Sequence, residues 1–341
     1  MSTQGARRRN FSNWAYWRLQ HEAAVDGDPC PLDDLESGLE PWRARVRARL
    51  LAMLGPAPEP VPLDVETTES VDCGSYRRDR VVFDTEATMS VPAYLLVPHD
   101  RTEPGPAVLA IHGHGPGKAR ICGVLTDEQH DEGAPYAHVL ASNGYVVLAP
   151  DLRGFGERKD WMPDDKYHCD WDLVCATMAG VVPHQRNLWD LQRALDVLAA
   201  HPLVDPARMA AGGLSYGATC TLFLAAIDPR VRAAIVACYL SSWRAAHTMP
   251  WNMCGSQILP GQIGAIEHLD LAALIAPRGL LAENGIEDLI FPVDAARETV
   301  GALRKIYAQL GAPDDALVHD VFDGGHMWHG TETFSFLERC L

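Results

Sequence analysis

The chain has 341 residues, 47% of them hydrophobic and 22% charged, which suits one large domain with additions or two domains. Its formal net charge of −16 argues against nucleic acid and anionic membrane surfaces as partners. Its nine cysteines are scattered, with no C-x-x-C, and read as reduced thiols of a cytoplasmic protein. Arg7, Arg8 and Arg9 carry the charge of an export signal, but residues 12–22 form no apolar run, so no signal peptide is predicted. No stretch approaches the roughly 18 uninterrupted apolar residues of a membrane span.

From the N-terminus, Leu35, Leu39, Trp42, Val46, Leu50 and Met53 recur at spacings of three and four, so residues 11–54 read as helical. Pro41 is expected to start a second helix, and Gly55-Pro56 to end it. Residues 56–62 form a proline-rich connector. Residues 1–62 are therefore expected to be a helical extension packed on a catalytic domain spanning 63–341. These helices offer either a homodimer contact or a cap.

Segments 65–71, 80–83 and 91–97 predict strands of an antiparallel sheet edge. Strands then alternate with helices: strands at 107–111, 145–149, 208–212, 233–237, 279–282 and 317–322; helices at 134–142, 188–200, 218–227, 293–310 and 332–340. This alternation predicts an α/β fold, a mostly parallel sheet with helices on both faces and its site beyond the carboxyl ends of the strands. Segments 157–183 and 241–266 interrupt the rhythm as lid-like or pocket-wall insertions, the first with a surface excursion as its alternative. Their Trp161, Trp171, Met178, Trp243 and Trp251, with Trp328 further on, are candidates for an aromatic substrate pocket; buried structural tryptophan is the competing fate.

Gly213-Leu214-Ser215-Tyr216-Gly217 stands between a predicted strand and a predicted helix. A G-x-S-x-G turn there lifts a serine hydroxyl to a helix N-terminus, where developing negative charge is stabilised. Serine needs a base. Of 14 histidines, His326 is singled out because it follows Gly324-Gly325 directly after the last strand; His329 is the reserve. A carboxylate must orient the imidazole. Asp288 is the candidate, with Glu283 and Glu287 as rivals. An oxyanion hole needs two backbone N–H donors. Tyr216 supplies one, and His114, in the loop His112-Gly113-His114-Gly115, the other. His112 and His114 have the spacing of a metal-ligand pair, but no third ligand is evident, so no metal is expected. Arg153 reads as a structural partner of a buried carboxylate, with substrate binding by Arg153 or Arg158 as the alternative.

His112-Gly113-His114-Gly115, Asp151-x-Arg153-Gly154-Phe155-Gly156, Gly213-x-Ser215-x-Gly217, Asp288 with Pro292, and Gly324-Gly325-His326 together resemble the α/β-hydrolase superfamily. Within it the chain is similar to acetyl xylan esterases, cephalosporin C deacetylase-like enzymes and the dienelactone hydrolase-related group, from about residue 64 onward. The resemblance implies an α/β-hydrolase fold and hydrolysis of a small or medium carboxylic ester through an acyl-enzyme, without a cofactor. It also implies Ser215, Asp288 and His326 as the triad. Cleavage of a carbon–carbon or peptide bond by the same triad is the alternative, and a non-hydrolytic binding protein on this fold is a third.

Overall fold

The computed structural model describes residues 10–125, 135–160, 168–246 and 253–341. In chain order the elements begin with α1 (Asn13–Ala23), α2 (Leu35–Leu54), β1 (Glu66–Asp72), β2 (Tyr76–Glu86), β3 (Met89–Pro98) and β4 (Gly105–Ile111). Next come α3 (Lys118–Ile121), α4 (Tyr136–Ser142), β5 (Val146–Pro150), α5 (His168–Met178), α6 (Pro183–Ala200), β6 (Val204–Leu214) and α7 (Tyr216–Ile227). The chain closes with β7 (Val231–Ala237), α8 (Trp243–Ala246), α9 (His268–Ile275), β8 (Gly279–Gly285), α10 (Val293–Gln309), β9 (Leu317–Phe322) and α11 (Thr333–Cys340).

The strands form one sheet in the order β1-β2-β3-β5-β4-β6-β7-β8-β9. β1, β2, β3 and β5 pair antiparallel; from β5 across to β9 all pairs are parallel. This is the α/β-hydrolase architecture. The parallel strands are apolar on both faces because helices cover both. Along β4, Ala107, Leu109 and Ile111 enter one core, while Val108 and Ala110 enter the other. β7 divides likewise, Ala234 and Val236 against Ala233, Ile235 and Ala237. The period of two makes each strand a shared wall.

The N-terminal helix α2 belongs to the larger core. Leu39, Trp42, Val46, Leu50 and Leu54 are buried along one face at the spacing of helical turns. Arg47 donates to the Ala226 and Ile227 carbonyls, which are the open C-terminal end of α7. Pro41 does not start this helix but lies inside it. Asp34 caps the helix, accepting from the Ser37 amide at 3.5 Å and its hydroxyl at 2.6 Å, so the first turn is in place before the proline. Pro41 costs the Ser37 carbonyl its helical donor, and the buried face offsets that loss. Residues 24–34 are non-helical, so the break between the two expected helices falls there and not before Pro41. Helix α9, absent from the sequence reading, is buried except at the partly covered Leu269 and so has no polar face to give a period. No described helix is long and apolar enough to cross a membrane.

The ends of β4, β6, β7, β8 and β9 all open on the same edge of the sheet, because the strands are parallel. The loops that follow them carry His114, Ser215, Cys238, Asp288 and His326 in that spatial order.

Candidate active site

Ser215 lies between β6 and α7 with φ 59° and ψ −119°. A non-glycine residue held there carries strain of about 1–3 kcal/mol, so its surroundings must impose the turn. They do so through backbone packing. A Cβ at Gly213 would come 2.4 Å from the Ile111 carbonyl oxygen, and one at Gly217 2.0 Å from the same atom. Only glycine at both positions lets the end of β4 press against the turn. The Ser215 amide donates to the Ala237 carbonyl at 3.0 Å, tying the turn to β7. Its side chain makes no capping bond to α7, which leaves the hydroxyl available at the helix N-terminus.

His326 and Asp288 meet. Nδ1 of His326 lies 2.8 Å from Oδ2 of Asp288, and the Asp288 side chain is fully buried. The other oxygen, Oδ1, accepts from the amides of Ile290 at 2.8 Å and Phe291 at 3.1 Å. Those amides fix the carboxylate, and a fixed carboxylate takes the proton on Nδ1 as its donor. Nε2 is then the basic nitrogen. The ring stacks on Phe291 at 5.8 Å.

Cys238, at the tip of β7, was not anticipated. It has φ 49°, and its Sγ lies within 4.8 Å of ligating atoms of both Asp288 and His326. Burial pushes its thiol up to about 12, so it is a neutral donor, 3.3 Å from the Met327 carbonyl. Its position directly after the buried 233–237 strand was the available signal.

The rival residues go elsewhere. Glu283 is buried and accepts from the amides of His329 at 3.2 Å and Gly330 at 2.9 Å, so it supports the loop backbone; burial pushes its carboxyl up to about 7. Glu287 is exposed. His329 pairs with Asp320 at 2.6 Å and stacks on Phe322 at 4.4 Å.

The loop after β4 is held by buried polar contacts. His112 donates from Nδ1 to the Gly113 carbonyl at 2.7 Å and accepts the Leu152 amide at Nε2, 3.0 Å away. Both its ring nitrogens are engaged, and burial lowers its pKa, so it is neutral. Asp151 accepts from the Lys118 amide at 2.8 Å, the Lys118 ammonium at 2.6 Å and the Glu157 amide at 2.9 Å. Arg153 pairs with the buried Asp190 at 2.8 Å and with Glu86 at 2.5 Å, which is a structural tie between loop, α6 and the β2–β3 hairpin. The Tyr216 amide opens α7; its hydroxyl accepts from Asn187 at 3.0 Å and donates to the Ser256 carbonyl at 3.2 Å.

The aromatic candidates divide. Trp243 is fully buried, donates to the Ile266 carbonyl at 2.5 Å and packs on Tyr239 and His268. Trp328 stacks on Tyr136 at 4.3 Å in the core on the α4 and α11 face. These two are core residues rather than pocket walls, because a large ring gains most where it is fully enclosed. Trp171 and Met178, on α5, are exposed. Trp161 and Trp251 lie outside the described residues. The two insertions pack together: the Gly255 amide donates to Asp170 at 2.9 Å, and a Cβ on Gly255 would fall 2.4 Å from Leu173 Cβ.

His184 anchors this contact from α6. Its Nδ1 lies 3.0 Å from the Ser256 carbonyl, its Nε2 has no hydrogen-bond partner, and burial pushes its pKa down to about 4. The folded pKa is below the unfolded value of about 6.5. Stability is therefore full above that pH and is lost as pH falls toward the folded pKa. His184→Asn keeps a donor near Ser256 and removes the titration. Denaturant midpoints at about pH 7 and 4.5 should show the wild type losing roughly 2–3 kcal/mol more than the variant. Equal losses would refute this account.

The Abhydrolase family pattern matches residues 33–309. A protein of Bacillus subtilis (strain 168) named as the hydrolase YtaP is 28% identical over 278 residues, covering 80% of this chain and 90% of its own. A Bacteroides fragilis NCTC 9343 structure named as an acetyl xylan esterase superposes with a TM-score of 0.76 at 17% identity, covering 94% of this chain and 84% of that one. A glucuronoyl esterase from Solibacter usitatus gives 0.64 at 15% identity, covering 88% and 91%. At such identities the structural likeness is one of fold.

Proposed function

Because the chain belongs to the Abhydrolase family, we propose that it is a serine hydrolase cleaving the carboxylic ester of a small or medium substrate. The observation that carries this reading is the His326–Asp288 pair at 2.8 Å on the strand edge that also holds Ser215 in its strained turn. The esterase names of the similar structures support the choice of bond.

In this mechanism Ser215 Oγ attacks the ester carbonyl carbon while His326 Nε2 takes its proton. Asp288 holds the imidazolium through Nδ1. The carbonyl oxygen gains the negative charge and accepts the amides of Tyr216 and His114. Collapse of the tetrahedral species breaks the bond to the alcohol, which leaves with the proton from His326. A water molecule, deprotonated by His326, then attacks the acyl-enzyme and releases the acid and Ser215. The chemistry uses side chains and backbone alone.

The test is a substrate panel with matched ester, amide and β-diketone compounds of increasing acyl size. Turnover of the ester members, with release of one acid per alcohol, is the expected result. Turnover confined to β-diketones or amides would replace this reading with a carbon–carbon hydrolase or a peptidase.

A further inference from the structure

A second set of chemically capable side chains stands beside the serine turn and has no part in this mechanism. His114 comes from the loop after β4, Cys169 from α5, and Cys254 from the residue before the Gly255–Gln257 turn. One ring nitrogen and the two sulfurs all lie within 4.8 Å of one another. Both cysteines are buried and neither is in a disulfide.

The surroundings orient each group. The His114 ring is exposed on one side and on the other packs against Phe155 at 5.4 Å and Tyr216 at 5.2 Å. Gln257 is buried; its carbonyl oxygen accepts the Thr219 hydroxyl at 3.0 Å, so its amide nitrogen is turned to Cys254 Sγ, 3.6 Å away. An N–H aimed at sulfur favours the thiolate, which is the form that binds metal. Cys169 is placed by the same α5 contacts that join the two insertions.

Three ligands of this kind have a definite preference. Thiolate with imidazole selects a soft or borderline divalent ion, and two sulfurs with one nitrogen leave a tetrahedral ion a fourth position for water. Around such an ion the ligand atoms stand roughly 3.5–4 Å apart. The three atoms here, all within 4.8 Å of one another, are already gathered to about that spacing. A disulfide between the cysteines would use neither the imidazole nor the Gln257 amide.

We propose that His114, Cys169 and Cys254 form a binding site for a thiophilic divalent cation of the zinc class. The ion would strap the two insertions to the loop after β4 that carries His114. The binding stands whether or not the esterase reading does.

The experiment is titration of the full chain, reduced with a non-thiol reductant and stripped with a chelator, with cobalt(II) as the spectroscopic stand-in for zinc. The expected result is one cobalt per chain with thiolate-to-cobalt charge transfer in the near ultraviolet and the visible bands of a tetrahedral ion, both discharged by zinc. Cys169→Ser and Cys254→Ser should each weaken binding at least about tenfold and reduce the charge-transfer band. Cys175→Ser, an exposed cysteine on the same helix, should change neither. Circular dichroism establishes that each variant is folded; the wild-type spectrum stands without them. Absence of the charge-transfer band in the reduced wild type would overturn the proposal. So would an unchanged spectrum in folded Cys169→Ser and Cys254→Ser chains.

Discussion

Replacing Ser215 with alanine is expected to remove ester hydrolysis and fluorophosphonate labelling together, with kcat falling by roughly 10⁴–10⁶-fold. The size follows from what the residue would do. Without the hydroxyl there is no acyl-enzyme, and only the oxyanion donors and substrate binding remain to assist water. The turn itself should survive. Its shape is imposed by Gly213 and Gly217 against the Ile111 carbonyl and by the Ser215 amide on Ala237, none of which needs the Oγ. Alanine at φ 59° meets the same strain as serine. The thermal midpoint should therefore stay close to wild type while activity disappears. Intact mass after exposure to the probe provides the second readout: one adduct on the wild type and none on the variant. An adduct that persists on the folded variant would move the nucleophile elsewhere and end the triad reading.

Asp288→Asn carries the second largest effect, a loss of about 10⁴ in kcat. Asparagine fits the site, since its carbonyl oxygen can keep the Ile290 and Phe291 amides. Its NH₂ must then face His326 Nδ1, where the carboxylate oxygen stood at 2.8 Å. A donor there demands a lone pair on Nδ1 and drives the proton to Nε2. The ring would be present in the wrong tautomer and could not accept from Ser215. Glu287→Gln is the matched control: the residue is exposed, and its variant should stay within about twofold of wild type, as surface substitutions usually do. Near-normal activity in Asp288→Asn with a large loss in Glu287→Gln would reverse the assignment of the acid.

The two substitutions also separate what was legible from what was not. Ser215 and Asp288 were singled out from sequence because each follows a strand signal and sits beside turn-forming glycine. Those are local features, with ranges of a few residues. The same signals located every strand of the parallel sheet to within a few residues, and β9 at 317–322. The rejection of Glu283 had no such source. It lies on β8 close to Asp288 in sequence, and only the fold shows its oxygens taken by the His329 and Gly330 amides.

Elements failed to register where local pattern and burial part company. Helix α9 has no exposed face and therefore no amphipathic period. Pro41 carries a strong breaker signal that the packed face of α2 overrides. Trp243 and Trp328 have the composition of pocket walls, yet one lies wholly in the core and the other is sealed against Tyr136.

By itself the sequence determined the α/β layering, the residues at the carboxyl ends of the strands and the chemistry each can perform. Hydrophobic period and turn residues act between near neighbours and are written directly in their order. Tertiary structure alone decided which of those residues meet. Asp288 reaches His326 because β8 and β9 are adjacent. Cys238 joins them because β7 lies on the other side of β8. His114, Cys169 and Cys254 converge because two insertions pack on one another above the sheet. Such meetings depend on strand order and packing of the whole chain, which no local window contains.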